Sequence, residues 1–191
     1  MKKTTLFIAQ AGIIAAMYVV LSMLMYTFSY LEIQCRVAEA LCMTIFYTPA
    51  GVFGVFIGCL ITNIFGGSWI DVVFGSLTTL VAALLTWPIA RAIRKKHGPN
   101  LKIKHALLIP IPTVVVNAIC IPFVLYFGYN VTTFGDVEGK LPVLAILALS
   151  VFLGELISCY VFGPLFVFAL NRVNKALDLS LESQAKKTIK E

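Results

Sequence analysis

LPVLAILALSVFLGELISCYVFGPLFVFAL, from Leu141 to Leu170, runs for 30 residues with Glu155 as its single charge. A bilayer's hydrocarbon core is about 30 Å thick, and about 20 apolar helical residues cross it. This stretch is long enough to cross and run on into the cytoplasm. Working outward from it, five more apolar runs appear. Leu6 to Tyr26 reads as helix 1, and Val37 to Tyr47 as a short or tilted helix 2 reaching in from the outer face. Pro49 to Phe65 reads as helix 3, Ile70 to Ile93 as helix 4, and Ala106 to Phe127 as helix 5. Pro110, Pro112 and Pro122 are expected to bend helix 5, since proline removes a backbone donor. The predicted fold class is an all-α membrane protein, a bundle of six transmembrane helices.

Composition agrees. The chain is 60% hydrophobic and 13% charged, against about 45–50% and about 25% in soluble domains. A soluble chain of this size buries only about 70% of its surface, so lipid must take the excess. Charge sets the orientation. With the N-terminus inside, 13 of the 15 Lys and Arg fall on the inner side and only Arg36 and Lys140 outside. The positive-inside rule therefore predicts both termini in the cytoplasm. Residues 1–176 are expected to form the six-helix substrate-binding domain and 177–191 a short polar cytoplasmic tail. The start, Met1-Lys2-Lys3, reads as the flank of a retained first helix rather than of a cleaved signal.

Several function classes drop out. The +6 net charge sits in short loops, so it argues for a membrane and not for nucleic acid. No GxxxxGK[ST] phosphate loop occurs. Both histidines, His97 and His105, lie in the basic inner loop, and the five cysteines are scattered without a CxxC pair. Neither a catalytic nor a metal centre is expected, and no cofactor.

The polar residues left in or near the apolar runs are informative, because a carboxylate at the bilayer centre costs about 2.5–3.5 kcal/mol on insertion scales. Glu155 lies roughly 20 Å from the outer end of helix 6 at 1.5 Å per residue and reads as functional. Asp71 opens helix 4 near the outer surface, where it fits equally as an interfacial cap or as a ligand contact. Asn63 and Asn117, with Thr113 one turn from the latter, would each alone be interhelical glue. Together with Asp71 and Glu155 they place hydrogen-bonding groups on four helices at a common depth, which suggests one pocket. Arg36 and Glu39 are three apart. They form either an exposed ion pair that sets the first outer connection, or part of a lid in which Tyr30, Gln34 and Arg36 close over a solute. Small-residue stripes mark close packing: Ala11-x-x-x-Ala15 and Gly12-x-x-x-Ala16 on helix 1, Ala50, Gly54 and Gly58 on helix 3, and Asp71, Gly75, Thr79 and Ala82 on helix 4.

Three segments carry a family resemblance: Ile33-Gln34-Cys35-Arg36-Val37-Ala38-Glu39-Ala40-Leu41, Gly58-Cys59-Leu60-Ile61-Thr62-Asn63-Ile64-Phe65-Gly66-Gly67 and Asp71-Val72-Val73-Phe74-Gly75-Ser76-Leu77. With them the chain resembles the queuosine-precursor transporter family, the QueT-type substrate-binding components of energy-coupling factor transporters. Cys35 and Ala38 depart from the aromatic and serine expected there. The resemblance implies a subunit of the bacterial plasma membrane that binds a 7-deazaguanine, a queuosine precursor or queuine, near the outer face. It also implies a transmembrane coupling subunit and two ATPase subunits as partners, with Ala11 and Ala15 as docking candidates. On such a solute Glu155 or Asp71 would accept the paired N–H donors of the guanine-like edge, and Asn117, Asn63 or Gln34 would serve its carbonyl. Tyr30 or Trp69 would stack on the ring.

Overall fold

The computed structural model describes residues 2–25, 36–134, 137–173 and 175. Among these, six helices follow the apolar runs: α1 Lys2–Leu24, α2 Val37–Tyr47, α3 Ala50–Phe65, α4 Asp71–His97, α5 Ile103–Gly128 and α6 Lys140–Val173. Four of them, α1, α4, α5 and α6, are long and apolar enough to cross a membrane; α2 and α3 are shorter apolar helices. Between α5 and α6 lies a small antiparallel hairpin, β1 Thr133–Phe134 against β2 Val137–Glu138. The outward faces carry Leu6, Ile13, Val20, Phe74, Leu84, Ile119, Phe152 and Val161 exposed. Such a belt is what a multi-pass membrane protein turns toward lipid.

Helix α2 occupies the centre. Every residue from Val37 to Phe46 is buried, with α1, α3, α4 and α6 packed around it. That explains why Val37–Tyr47 carries apolar residues on all sides rather than along one stripe. Its first part, Val37–Met43, is a 3₁₀ helix, and only Thr44–Tyr47 is α-helical. At about 2.0 Å per residue for the first and about 1.5 Å for the second, it reaches about 20 Å. Irregular backbone of this kind is tolerated at membrane depth where protein surrounds it.

Helices α1 and α3 pack through glycine. A Cβ added at Gly54 would lie 2.6 Å from the Cβ of Ile14, and one at Gly58 only 2.5 Å from the Cβ of Tyr18. Close backbone approach of this sort is the use of small residues in membrane helices. It brings the Ala11, Ile14, Ala15, Tyr18 side of α1 inward, where all four are buried.

Three helices contain a wider π turn: Asp71–Gly75 in α4, Val124–Gly128 in α5 and Ile157–Phe162 in α6. Turns of this class often accompany functional sites. The first two meet at one end of the bundle, and the third follows directly after Glu155 and packs on α2. Helix α5 is broken as its prolines predict, with a short turn Ile103–Ala106 before the main segment Ile111–Phe123 and Pro122 inside that segment.

The opposite end is tied by side chains. Helix α2 leaves its last carbonyls without intrahelical donors. The Arg94 guanidinium donates to the carbonyls of Phe46 and Tyr47. The Tyr47 hydroxyl donates to Asn171 Oδ1 at 2.6 Å. Asn171 in turn clasps the Leu101 backbone, accepting from its N–H at 3.1 Å and donating to its carbonyl at 2.8 Å. Three elements distant in sequence thus meet around α2.

Candidate functional site

Glu39 projects from the 3₁₀ part of α2 into the middle of the bundle and is 2% exposed. Its Oε1 accepts two hydrogen bonds, from the Tyr18 hydroxyl on α1 at 2.6 Å and from the Thr79 hydroxyl on α4 at 3.1 Å. Cys59 on α3 adjoins this group, its Sγ 3.4 Å from both Thr79 Oγ1 and Asn63 Nδ2. Both carboxylate donors are neutral hydroxyls on helices that pack against α2, so the carboxylate is solvated by protein in place of water.

Glu155 on α6 is the second buried carboxylate, also 2% exposed. Asn117 on α5 donates to its Oε1 at 2.9 Å, and Cys159, one turn further along α6, brings its Sγ to 3.9 Å from Oε2. Glu155 lies within electrostatic reach of Glu39 and Arg36. Arg36, which precedes α2, lies within reach of Glu39 and Asp71. The Arg36 charge is thus felt by both buried glutamates. Side chains from five helices, α1, α2, α4, α5 and α6, converge on the two glutamates.

Asn63 and Asp71 have different tasks from those expected. Asn63 donates to the Asp71 carbonyl at 2.8 Å and to Ser76 Oγ at 3.1 Å. It satisfies the backbone where the π turn of α4 disturbs the regular ladder. The Asp71 carboxylate turns toward the α5–α6 connection, where Oδ2 accepts from the Tyr129 hydroxyl at 2.5 Å. Partial burial, reinforced by that bond, holds the Tyr129 phenol above its usual range. Asp71 thus ties the α5–α6 connection to the start of α4, while the Arg36 charge links it to the glutamates.

The sequence expectations divide accordingly. Asn117 and Glu155 are brought together and bonded to each other. Glu39 and Arg36 join them, but not as an exposed ion pair: Glu39 is a core residue. Trp69, expected as a candidate ring to stack on the solute, is 83% exposed. Ala11 and Ala15, the docking candidates, are buried against α3, with their carbonyls 3.1 and 3.0 Å from where Cβ atoms at Gly54 and Gly58 would be. The outward stripe is the other one, Gly12 and Ala16. Tyr30 and Gln34 lie outside the described residues. Tyr18, Thr79, Cys59 and Cys159 belong to the cluster and were not foreseen as such. Tyr18 was detectable, since it continues the small stripe Ala11, Ala15 at helical spacing, and Thr79 sits in the α4 stripe read only as packing.

Chemically, the cluster offers two buried carboxylates, a carboxamide, thiols and one guanidinium. Carboxylates accept paired N–H donors, and the amide can donate to a carbonyl. Among the described residues no group of three or more His, Cys, Asp or Glu could hold a metal.

The family model described as QueT transporter matches residues 8–172. A queuosine precursor transporter, QueT, of Lactococcus lactis subsp. cremoris (strain MG1363) is 42% identical over 82 residues, 42% of this chain and 48% of that protein. The chain thus aligns with about half the length of that relative. No solved structure matches. With a family model that takes in all six helices and the whole buried cluster, the chain belongs to the QueT transporter family.

Proposed function

We propose that this chain is the substrate-binding subunit of an energy-coupling-factor importer, and that its solute is a 7-deazaguanine such as a queuosine precursor or queuine. The observation that carries this is the buried Asn117–Glu155 pair with Glu39 and Arg36 beside it. The amide donates to the carboxylate at 2.9 Å. A guanine-like edge can replace both halves of that bond, its two N–H groups meeting Glu155 and its carbonyl accepting from Asn117. Glu39 and Arg36 complete the polar wall, and Asp71 holds the outer connection over it through Tyr129.

All six helices span the membrane in this proposal, with both termini in the bacterial cytoplasm. Residues 1–176 form the binding domain and 177–191 the tail. The positive-inside distribution of Lys and Arg supports that orientation. The energy comes from a transmembrane coupling subunit and two ATPases. Docking uses the outward stripe of α1, where a Cβ on Gly12 would meet nothing within 4 Å.

The test is a thermal-shift titration of detergent-purified protein against 7-deazaguanine, queuine, riboflavin, thiamine and biotin. Binding to the native state stabilises it by RT ln(1 + [L]/Kd), which grows with the logarithm of ligand concentration above Kd. Concentration-dependent stabilisation by the deazaguanines alone is expected. Stabilisation by one of the vitamins instead would reassign the solute, and no response to any of them would remove the binding role.

A further inference from the structure

We infer that Tyr18 is a positioning residue for the solute site, holding Glu39 in the orientation that receives a solute N–H. This rests on the proposal that the glutamates bind the solute. The hydroxyls of Tyr18 and Thr79 converge on a single oxygen, Oε1, from α1 and α4. Two donors on one oxygen fix the carboxylate plane and leave the acceptor capacity of Oε2 for the solute. The arrangement is not what packing alone would select. A buried phenol and a buried carboxylate both carry desolvation penalties, and apolar side chains of similar volume would fill the same space without them.

The position of Tyr18 is itself set by an unusual contact. Its Cβ occupies the space a side chain at residue 58 would need, with 2.5 Å to a Cβ placed on Gly58. Gly58 thus determines how deeply α1 settles against α3, and with it the distance from the Tyr18 hydroxyl to Glu39. Among the described residues, Tyr18 is the side chain of α1 that reaches the buried carboxylates. Whatever displaces α1 therefore acts on Glu39 through this one hydrogen bond.

The experiment is a double-mutant cycle read as 7-deazaguanine affinity, using Y18F, E39Q and the double variant in the full-length chain. Phenylalanine keeps the ring against Gly58 and removes only the hydroxyl. Y18F is expected to weaken binding about tenfold, the scale of a hydrogen bond to a charged group. In the E39Q background the same change should cost less than about twofold, because a residue that acts through Glu39 has nothing left to position. T79V, which removes the other donor to Oε1, should show the same dependence on Glu39. Unchanged affinity in Y18F, or an equal loss in both backgrounds, would overturn the inference. So would a Y18F chain that does not fold paired with a T79V loss indifferent to E39Q. If the wild-type chain shows no saturable response to 7-deazaguanine, the solute assignment fails first and this inference falls with it.

Discussion

Replacing Glu155 by glutamine tests the site most directly. The side chain is 2% exposed, and its Oε1 already accepts from Asn117 at 2.9 Å. Glutamine preserves shape and keeps one acceptor oxygen, so it can still receive that bond. It loses the negative charge and converts the second oxygen into a donor, which faces a solute N–H donor to donor. A hydrogen bond to a charged partner contributes about 1.5–3 kcal/mol, and about 1.4 kcal/mol is a factor of ten in affinity. The expected loss is therefore between about tenfold and about 150-fold. Folding should be spared: removing a buried charge next to Glu39 relieves desolvation rather than adding to it. Isothermal titration with 7-deazaguanine reads the affinity, and the unliganded melting temperature reads the fold. Unchanged affinity at an unchanged melting temperature would place Glu155 outside the solute site. A fall in both would mean that the charge serves the architecture.

Four further outcomes follow from the contacts. Ala11→Leu should drive a side chain into α3 and lower the melting temperature, an overpacking cost of about 1–3 kcal/mol. Gly12→Leu should instead leave folding and solute affinity intact while impairing copurification with the coupling subunit and uptake by whole cells. Tyr129→Phe removes the hydroxyl bonded to the Asp71 carboxylate and should raise hydrogen exchange across β1 and β2 while changing solute affinity less than about fivefold, since a single exposed hydrogen bond contributes only about 1 kcal/mol. Asn171→Ala leaves the Tyr47 hydroxyl only its longer bond to the Val167 carbonyl, at 3.5 Å, and removes the partner of both Leu101 backbone groups. It should lower stability by about 1–3 kcal/mol, measured by thermal melting, with 7-deazaguanine affinity unaltered.

The fold was largely legible because lipid imposes a blunt rule. Apolar length decides where helices lie, and the runs read from composition coincide with the observed helices to within a few residues at most ends. Helix α2 was the exception in kind. Eleven residues were too few for a spanning α-helix, and nothing in Val37–Tyr47 announces the 3₁₀ winding that stretches it. The central position is implicit in its all-round apolarity, but a short apolar segment looks alike whether it is buried in protein or tucked at an interface. The π turns were equally hidden. Each is a local slip in the backbone ladder that tertiary partners such as Asn63 stabilise, and propensity carries no trace of it.

For the site, depth along each helix was readable but azimuth was not. Asn117 and Glu155 were matched by depth and do meet. Asp71 was matched to them by depth as well, yet its carboxylate meets Tyr129, and Trp69 is 83% exposed. The two stripes of α1 pose the same ambiguity, since they are one residue apart and therefore about 100° apart around the axis. What selects between them is a property of the partner helix: Gly54 and Gly58 leave grooves that only the Ala11, Ile14, Ala15, Tyr18 side fills. That choice also delivers Tyr18 to Glu39. Close packing of α1 on α3 and solvation of the buried carboxylate are consequently one structural decision, made by two glycines that touch neither carboxylate.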